Sequence, residues 1–322
     1  MASAAAPFSA APPLPDFLAG QLPFHRAVYT LREGPDAGRR IHFIDHGDPA
    51  AQPVLMLHGN PTWSYLWRKV IPLLPAYRCV APDLLGLGFS DRLPRMEDHT
   101  VDRHGRAIAE LVEALDLRGI VLVGQDWGGP IAMQVGLRHP DRIAAVVLGN
   151  TAVTVPSHPK GTWFHKLSRV PVVSDLLFLG LGFPQNRLSV VQGDKRSIRG
   201  EVKRAYTWPL RTWKDRATPL ALARMVPNGP HHPEVETLRR GDAWIRAFAG
   251  PMALVWGMKD PILGRALRRH ERTFPNATVT RTTAGHFLQE EVPEALAAAV
   301  EDVAARAASS GRPGAGSPPP SR

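Results

Sequence analysis

Residues 121–132, VLVGQDWGGPIA, constrain this chain more than any other stretch: an apolar strand passes into a helical pattern through Gly124-Gln125-Asp126-Trp127-Gly128. Small residues on both sides of Asp126 are what a sharp, strained strand-to-helix turn requires, because the turn has no room for side chains and lifts its central residue above the sheet. A strand followed at once by a covering helix belongs to a layered α/β fold. The aspartate has two readings. It is either a nucleophile at the tip of the turn or a carboxylate capping the helix, where free amides and the helix dipole favour an anion. The flanking glycines and the partners described below favour the nucleophile.

The rest of the chain carries a matching rhythm of short apolar runs and longer helical patterns, the mark of parallel strands joined by crossover helices. Strands are expected at Ala27 to Leu31, Ile41 to Asp45, Val54 to Leu57, Arg78 to Ala81, Ile120 to Val123, Ile143 to Leu148, Met252 to Trp256 and Thr278 to Arg281. Together they predict a mostly parallel eight-stranded sheet. Ile108, Leu111, Val112 and Leu115 lie on one face of a helix over 100–117, and further helices are expected over 128–138 and 293–307. With 322 residues, 44% of them hydrophobic, the chain can cover such a sheet on both faces.

The rhythm breaks after Asn150, where a basic, irregular stretch carries Trp163, Phe164, Phe178, Phe183, Trp208 and Trp213. The expected organisation is therefore a disordered or irregular N-terminal tail over 1–24, a first core segment over 25–150, a helical cap over 151–233, a second core segment over 234–308 and a disordered tail over 309–322. Small, Pro-rich and polar, the last segment cannot bury enough surface to offset the entropy of ordering it. Between Thr151 and Gly250 there are sixteen Lys and Arg against seven Asp and Glu, a net charge of +9 out of the chain's +10. Such a surface attracts nucleic acid, an anionic membrane or an acidic partner, favours departing anions, or is simply a solvated face. The charges are dispersed and match no nucleic-acid motif, so no nucleic-acid partner is expected. No apolar run reaches the roughly 18 to 20 residues of a membrane span. Cys79 is the only cysteine, which excludes an intrachain disulfide and fits a cytoplasmic protein. The thirteen histidines show no paired metal-ligand spacing, so no metal is expected.

A carboxylate nucleophile attacks alkyl carbon, expelling a halide or opening an epoxide, and leaves an ester that activated water must hydrolyse. His286, in AGHFLQEE after the last expected strand, stands where a general base is needed, and Asp260, in the turn GMKDPI after MALVW, where an orienting acid is needed. The loop HGNPTWS, residues 58–64, leaves another strand beside them. Asn60 and Trp127 each offer a side-chain N–H as well as a backbone amide of an oxyanion hole, and two neutral donors near a carboxylate suit a departing halide. As alternatives, Asn60 is a turn residue and Trp127 a packing aromatic.

HGNPTWSYLWR, DLLGLGFSDR, GQDWGG and AGHFLQEE together, spanning residues 58–291, resemble the haloalkane dehalogenase family of α/β-hydrolases. The resemblance implies an α/β-hydrolase fold and a two-step hydrolysis in which Asp126 attacks carbon, Asn60 and Trp127 hold the halide, and His286, oriented by Asp260, activates water. It implies no cofactor. Its partners would be a small halogenated hydrocarbon, water and halide ion. The loop Gly149-Asn150-Thr151 lacks the carboxylate that some members place there, so the acid is expected at Asp260, as in the family's third branch; homo-oligomerisation stays open. Trp163, Phe164, Phe178, Leu179, Phe183, Trp208 and Phe287 are candidates for an apolar substrate wall. Two rivals remain. Epoxide hydrolases of this fold use two cap tyrosines, whereas only Tyr206 falls in this cap; a non-catalytic ligand-binding protein would have no need of nucleophile, base and acid together.

Overall fold

Segments 143–151 and 252–257 are buried at every position, and 120–126 at all but its last, apolar runs without alternation that suit strands covered on both faces. The computed structural model describes residues 7–310. Its strands are β1 (Phe8–Ala10), β2 (Arg26–Thr30), β3 (Arg40–His46), β4 (Pro53–Leu57), β5 (Arg78–Pro82), β6 (Ile120–Asp126), β7 (Ile143–Thr151), β8 (Met252–Gly257) and β9 (Thr278–Thr282). They form one sheet in the order β1-β2-β3-β5-β4-β6-β7-β8-β9. The pairs from β5 to β9 are parallel, while β1, β2 and β3 join antiparallel at one edge.

The helices are α1 (Asp16–Ala19), α2 (Val101–Ala114), α3 (Gly128–Arg138), α4 (Trp163–Leu167), α5 (Val173–Asp175, continued by a π turn over Leu176–Gly180), α6 (Gly200–Thr207), α7 (Ala217–Met225), α8 (Glu234–Ala247), α9 (Leu267–Thr273) and α10 (Pro293–Ser309). Thr100 caps α2 by accepting the Arg103 amide at 3.1 Å, and His139-Pro140 ends α3. One face of the sheet is covered by α2 and α3, with α8 packed on both, and the other by α10. Between β7 and α8, the segments α4 to α7 gather a small core of their own around Phe178, Leu220 and Ala223.

Two expectations need correction. The sheet has nine strands rather than eight, because Phe8–Ala10 pairs with β2 and Phe8 packs its ring on Tyr29 at 5.2 Å and Phe43 at 6.2 Å. The first 24 residues are correspondingly not a loose tail where they are described: Leu18 and Leu22 are fully buried in the face that α10 covers. Tertiary contacts, not local propensity, order this segment. The tail expected over 309–322 lies almost wholly outside the described residues.

Candidate active site

The elbow forms because its glycines let three chain segments touch. A Cβ on Gly128 would stand 1.9 Å from the Leu57 carbonyl oxygen, one on Gly129 2.0 Å from Thr151 Oγ1, and one on Gly59 2.3 Å from Asp126 Oδ1. Asp126 itself takes φ = 51°, the left-handed conformation that L-residues avoid. Thr151 at the end of β7 donates its hydroxyl to the Asp126 carbonyl at 2.6 Å, and the Asn60 backbone N–H donates to Asp126 Oδ1 at 2.7 Å. The carboxylate is thereby aimed across the carboxyl ends of β4, β6 and β7.

His286 and Asp260 meet it there. Nδ1 of His286 donates to Asp260 Oδ2 at 2.8 Å, leaving Nε2 directed at Asp126 Oδ2, 3.6 Å away. Asp260 is held by further donors, Asn150 Nδ2 at 2.7 Å and the Ile262 amide at 2.7 Å, and Asn150 in turn accepts the Gly257 amide at 2.7 Å. The His286 amide donates to Val191 O at 2.9 Å and Gln125 Nε2 to His286 O at 3.1 Å, so this loop is pinned from two sides. Burial alone would pull the imidazole pKa down, but the Asp260 and Asp126 carboxylates outweigh it and raise it to about 10. For Asp260 burial raises the pKa, yet the His286 partner and the Asn150 and Ile262 donors bring it below the ordinary carboxylate value.

The loop bearing Asn60 is fixed from below. Fully buried Asp83 accepts the Ser64 amide at 2.7 Å, the Phe89 amide at 2.8 Å and His42 Nδ1 at 2.8 Å, and His58 Nε2 accepts the Leu84 amide at 3.0 Å. The two side chains expected to receive a halide lie beside Asp126, but both are already engaged. Asn60 Nδ2 donates to Pro219 O at 3.0 Å and Trp127 Nε1 to Leu222 O at 3.1 Å, two carbonyls of α7. Sequence reasoning missed these acceptors, and backbone carbonyls leave no signal in a sequence.

The expected apolar wall divides. Phe287 packs edge-on against His286 at 4.7 Å. Phe164, Phe178 and Phe183 contact one another at 5.6 to 5.7 Å, and Leu179 joins them against Leu220 and Ala223 of α7. Trp163, however, is 70% exposed on the outer surface, and Trp208 packs on Phe17 at 5.2 Å, so neither is placed as a wall. Aromatic residues in an irregular segment carry no periodicity that separates inner from outer faces. A residue not anticipated senses the Asp126 charge: His165 of α4, whose Nδ1 accepts the Thr162 amide at 3.1 Å. Burial pushes its pKa down to about 4 while the Asp126 charge opposes that shift, so a second imidazole, held neutral, lies within electrostatic reach of the same carboxylate. With Nδ1 accepting, its proton sits on Nε2. The Thr162-x-x-His165 spacing was the available signal. Tyr206, the single cap tyrosine, is fully buried with its hydroxyl donated to Glu290 Oε1 at 2.5 Å, and Glu290 is also paired with Arg68.

Among the described residues no group of three or more His, Cys, Asp and Glu is arranged to hold a metal, and no helix is long and apolar enough to cross a membrane. A strained elbow above a mostly parallel sheet, with a histidine and an acid on the following loops, defines an α/β-hydrolase whose nucleophile position carries a carboxylate. The alpha/beta hydrolase fold family profile matches residues 52–293. A haloalkane dehalogenase of Psychrobacter cryohalolentis is 32% identical over 88% of this chain and 94% of its own length, and one of Mycobacterium marinum 35% identical over 80% and 86%. Among solved structures, the tetrameric haloalkane dehalogenase DpaA from Paraglaciecola agarilytica superposes with a TM-score of 0.73 at 27% identity, covering 88% of this chain and 93% of that one. DbeA from Bradyrhizobium elkani gives 0.75 at 26% identity, covering 85% and 96%. The chain belongs to the haloalkane dehalogenase family.

Proposed function

We propose that this protein hydrolyses small haloalkanes to an alcohol and a halide ion through a covalent ester on Asp126, with no cofactor. One observation carries this reading: a carboxylate, not a hydroxyl, occupies the elbow, 3.6 Å from a histidine whose far nitrogen is bonded to Asp260. In the first step an Asp126 oxygen forms a bond to the halogen-bearing carbon, and the carbon–halogen bond breaks with its electron pair leaving on the halide. Charge then appears on the halide, where the Trp127 indole and the Asn60 amide stabilise it by exchanging their α7 carbonyls for the ion. Donors satisfied in the ground state and transferred only as charge develops act on the barrier rather than on substrate binding.

Esterification removes the Asp126 charge, one of the influences that raises the His286 pKa. The imidazole then releases its proton more readily, and as a neutral base it takes a proton from water while the oxygen adds to the ester carbonyl carbon. Asp260 stabilises the imidazolium, the tetrahedral intermediate collapses as the departing oxygen takes the hydroxyl proton and leaves as the alcohol, the Asp126 carboxylate is restored, and the proton held by His286 passes to solvent. The segment over 151–233 serves as a cap, since α7 lies directly on the halide donors. Epoxide opening needs a hydroxyl donor for the departing oxygen, and the bond from Tyr206 to Glu290 withholds the one cap tyrosine.

Halide release from 1,2-dibromoethane or 1-bromobutane tests the reading. Wild type should release bromide and Asp126→Ala none, whereas His286→Phe should release at most one equivalent and carry an alkyl adduct on the peptide containing Asp126, seen by mass spectrometry. Equal release from wild type and Asp126→Ala, or an adduct on another peptide, overturns it.

A further inference from the structure

The outer face of the cap has a composition that the reaction does not use. Val172 is 77% exposed, Trp163 70%, Leu181 63%, Leu176 62% and Trp213 63%, and Val170 and Val173 are also exposed. Val170, Val172, Val173, Leu176 and Leu181 follow one another along the α5 segment and its π turn. Phe164 and Phe178 turn inward to the core on α7, which sets Trp163 and Leu176 outward, and Leu181 follows the π turn. The Arg216 guanidinium donates to Leu179 O and Gly180 O at 2.9 Å and to Arg211 O at 3.0 Å, tying the Leu181 corner to the turn that carries Arg211, Trp213 and Lys214. Single exposed apolar side chains need no explanation; a cluster on one face marks an interaction surface.

The charges around it select the partner. Over residues 160–216 there are twelve Lys and Arg against four Asp and Glu. Lys166, Arg187, Arg211 and Lys214 are exposed around the apolar residues. Two acids within the face are already engaged, Asp175 with Arg224 at 3.4 Å and Asp215 with Arg92 at 3.2 Å. Apposing two such faces in a dimer would bring like charges together, and a nucleic acid offers nothing for exposed leucine and valine. A sheet of anionic headgroups over hydrocarbon answers both features at once.

We propose that this face of the cap docks on an anionic phospholipid bilayer, inserting Trp163, Val172, Leu176 and Leu181 at the headgroup boundary while the surrounding Lys and Arg pair with lipid phosphates. The protein lies on the bilayer and does not cross it. Docking is independent of the reaction; its use, taking apolar haloalkanes from the bilayer in which they concentrate, rests on the dehalogenase reading.

The test is sedimentation of the full chain with vesicles of phosphatidylcholine alone and of phosphatidylcholine mixed with phosphatidylglycerol, beside sedimentation velocity without lipid. Binding is expected to the mixed vesicles only, to weaken with added salt, and to fall about tenfold or more in the triple variant Val172→Ser, Leu176→Ser, Leu181→Ser. Unchanged thermal unfolding and halide release from a soluble substrate certify that the variant is folded, and that assay reports on the catalytic reading separately. Equal binding to both vesicles, no binding, or undiminished binding by the variant overturns the proposal. So does a wild-type oligomer that the triple variant dissolves without any lipid binding, which would make this face a contact between copies of the chain.

Discussion

At Asn60 two chemical groups of one residue do separate work. Its backbone N–H holds Asp126 Oδ1 at 2.7 Å, whereas its side-chain amide reaches Pro219 O at 3.0 Å. On the proposed reading, Asn60→Ala keeps Asp126 held by the backbone N–H and removes the side-chain donor offered to the departing ion, together with its bond to Pro219 O. The alkylation rate, followed as the single-turnover burst of halide, is expected to fall about 100-fold while the concentration dependence of substrate binding barely moves. A variant that loses binding but keeps the burst rate would place Asn60 outside the charge-stabilising role. Asn150 shows the limit of reading at this scale. Its sequence position said only that a carboxylate was missing from the loop after β7, while the fold uses its amide to bind Asp260 and Gly257 together. Asp126 and His286 were legible because glycine spacing and chain order are local signals; for the second imidazole, His165, the Thr162-x-x-His165 spacing marked a capped helix start but not which way that short cap helix faces.

Helix α7 is the element on which the site depends, and its burial from Thr218 to Ala223 gives no amphipathic pattern by which to orient it. Its start is positioned by a chain of buried groups: Thr218 Oγ1 lies 3.4 Å from His99 Nε2, and His99 Nδ1 lies 3.1 Å from His104 Nε2. Burial pushes the pKa of His99 down to about 3 and that of His104 well below its ordinary value. A histidine with a depressed folded pKa supports the fold above its unfolded value and withdraws that support as pH falls toward the folded value. For His99 the window runs from about 6.5 down to about 3, and its contribution should decline by about 1.4 kcal/mol per pH unit within it. Urea unfolding across that range should show wild type losing stability more steeply than His99→Gln as the solution is acidified; parallel slopes would mean that His99 is not held neutral. The strands, by contrast, were readable almost to their ends, since β6, β7 and β8 are continuous apolar runs. Only three residues long, β1 escaped notice because its order comes from Tyr29 and Phe43 across the sheet.

For the molecule as a whole, the N-terminal segment is a working part of the fold. Leu18 and Leu22 are buried against the α10 face and Phe8 against the opposite face. Deleting residues up to 24 should cost about 3 to 6 kcal/mol from the two leucines alone, at about 1.5 to 3 kcal/mol each. A truncated protein with an unchanged urea midpoint would restore the view of this segment as a tail. The two carbonyls of α7 carry a last consequence. Under the proposed halide role of Asn60 and Trp127, Pro219 O and Leu222 O would retake the amide and the indole as soon as a bromide or chloride ion departs, a built-in competitor for the anionic product. A weakened grip on that ion favours turnover in solutions already rich in salt.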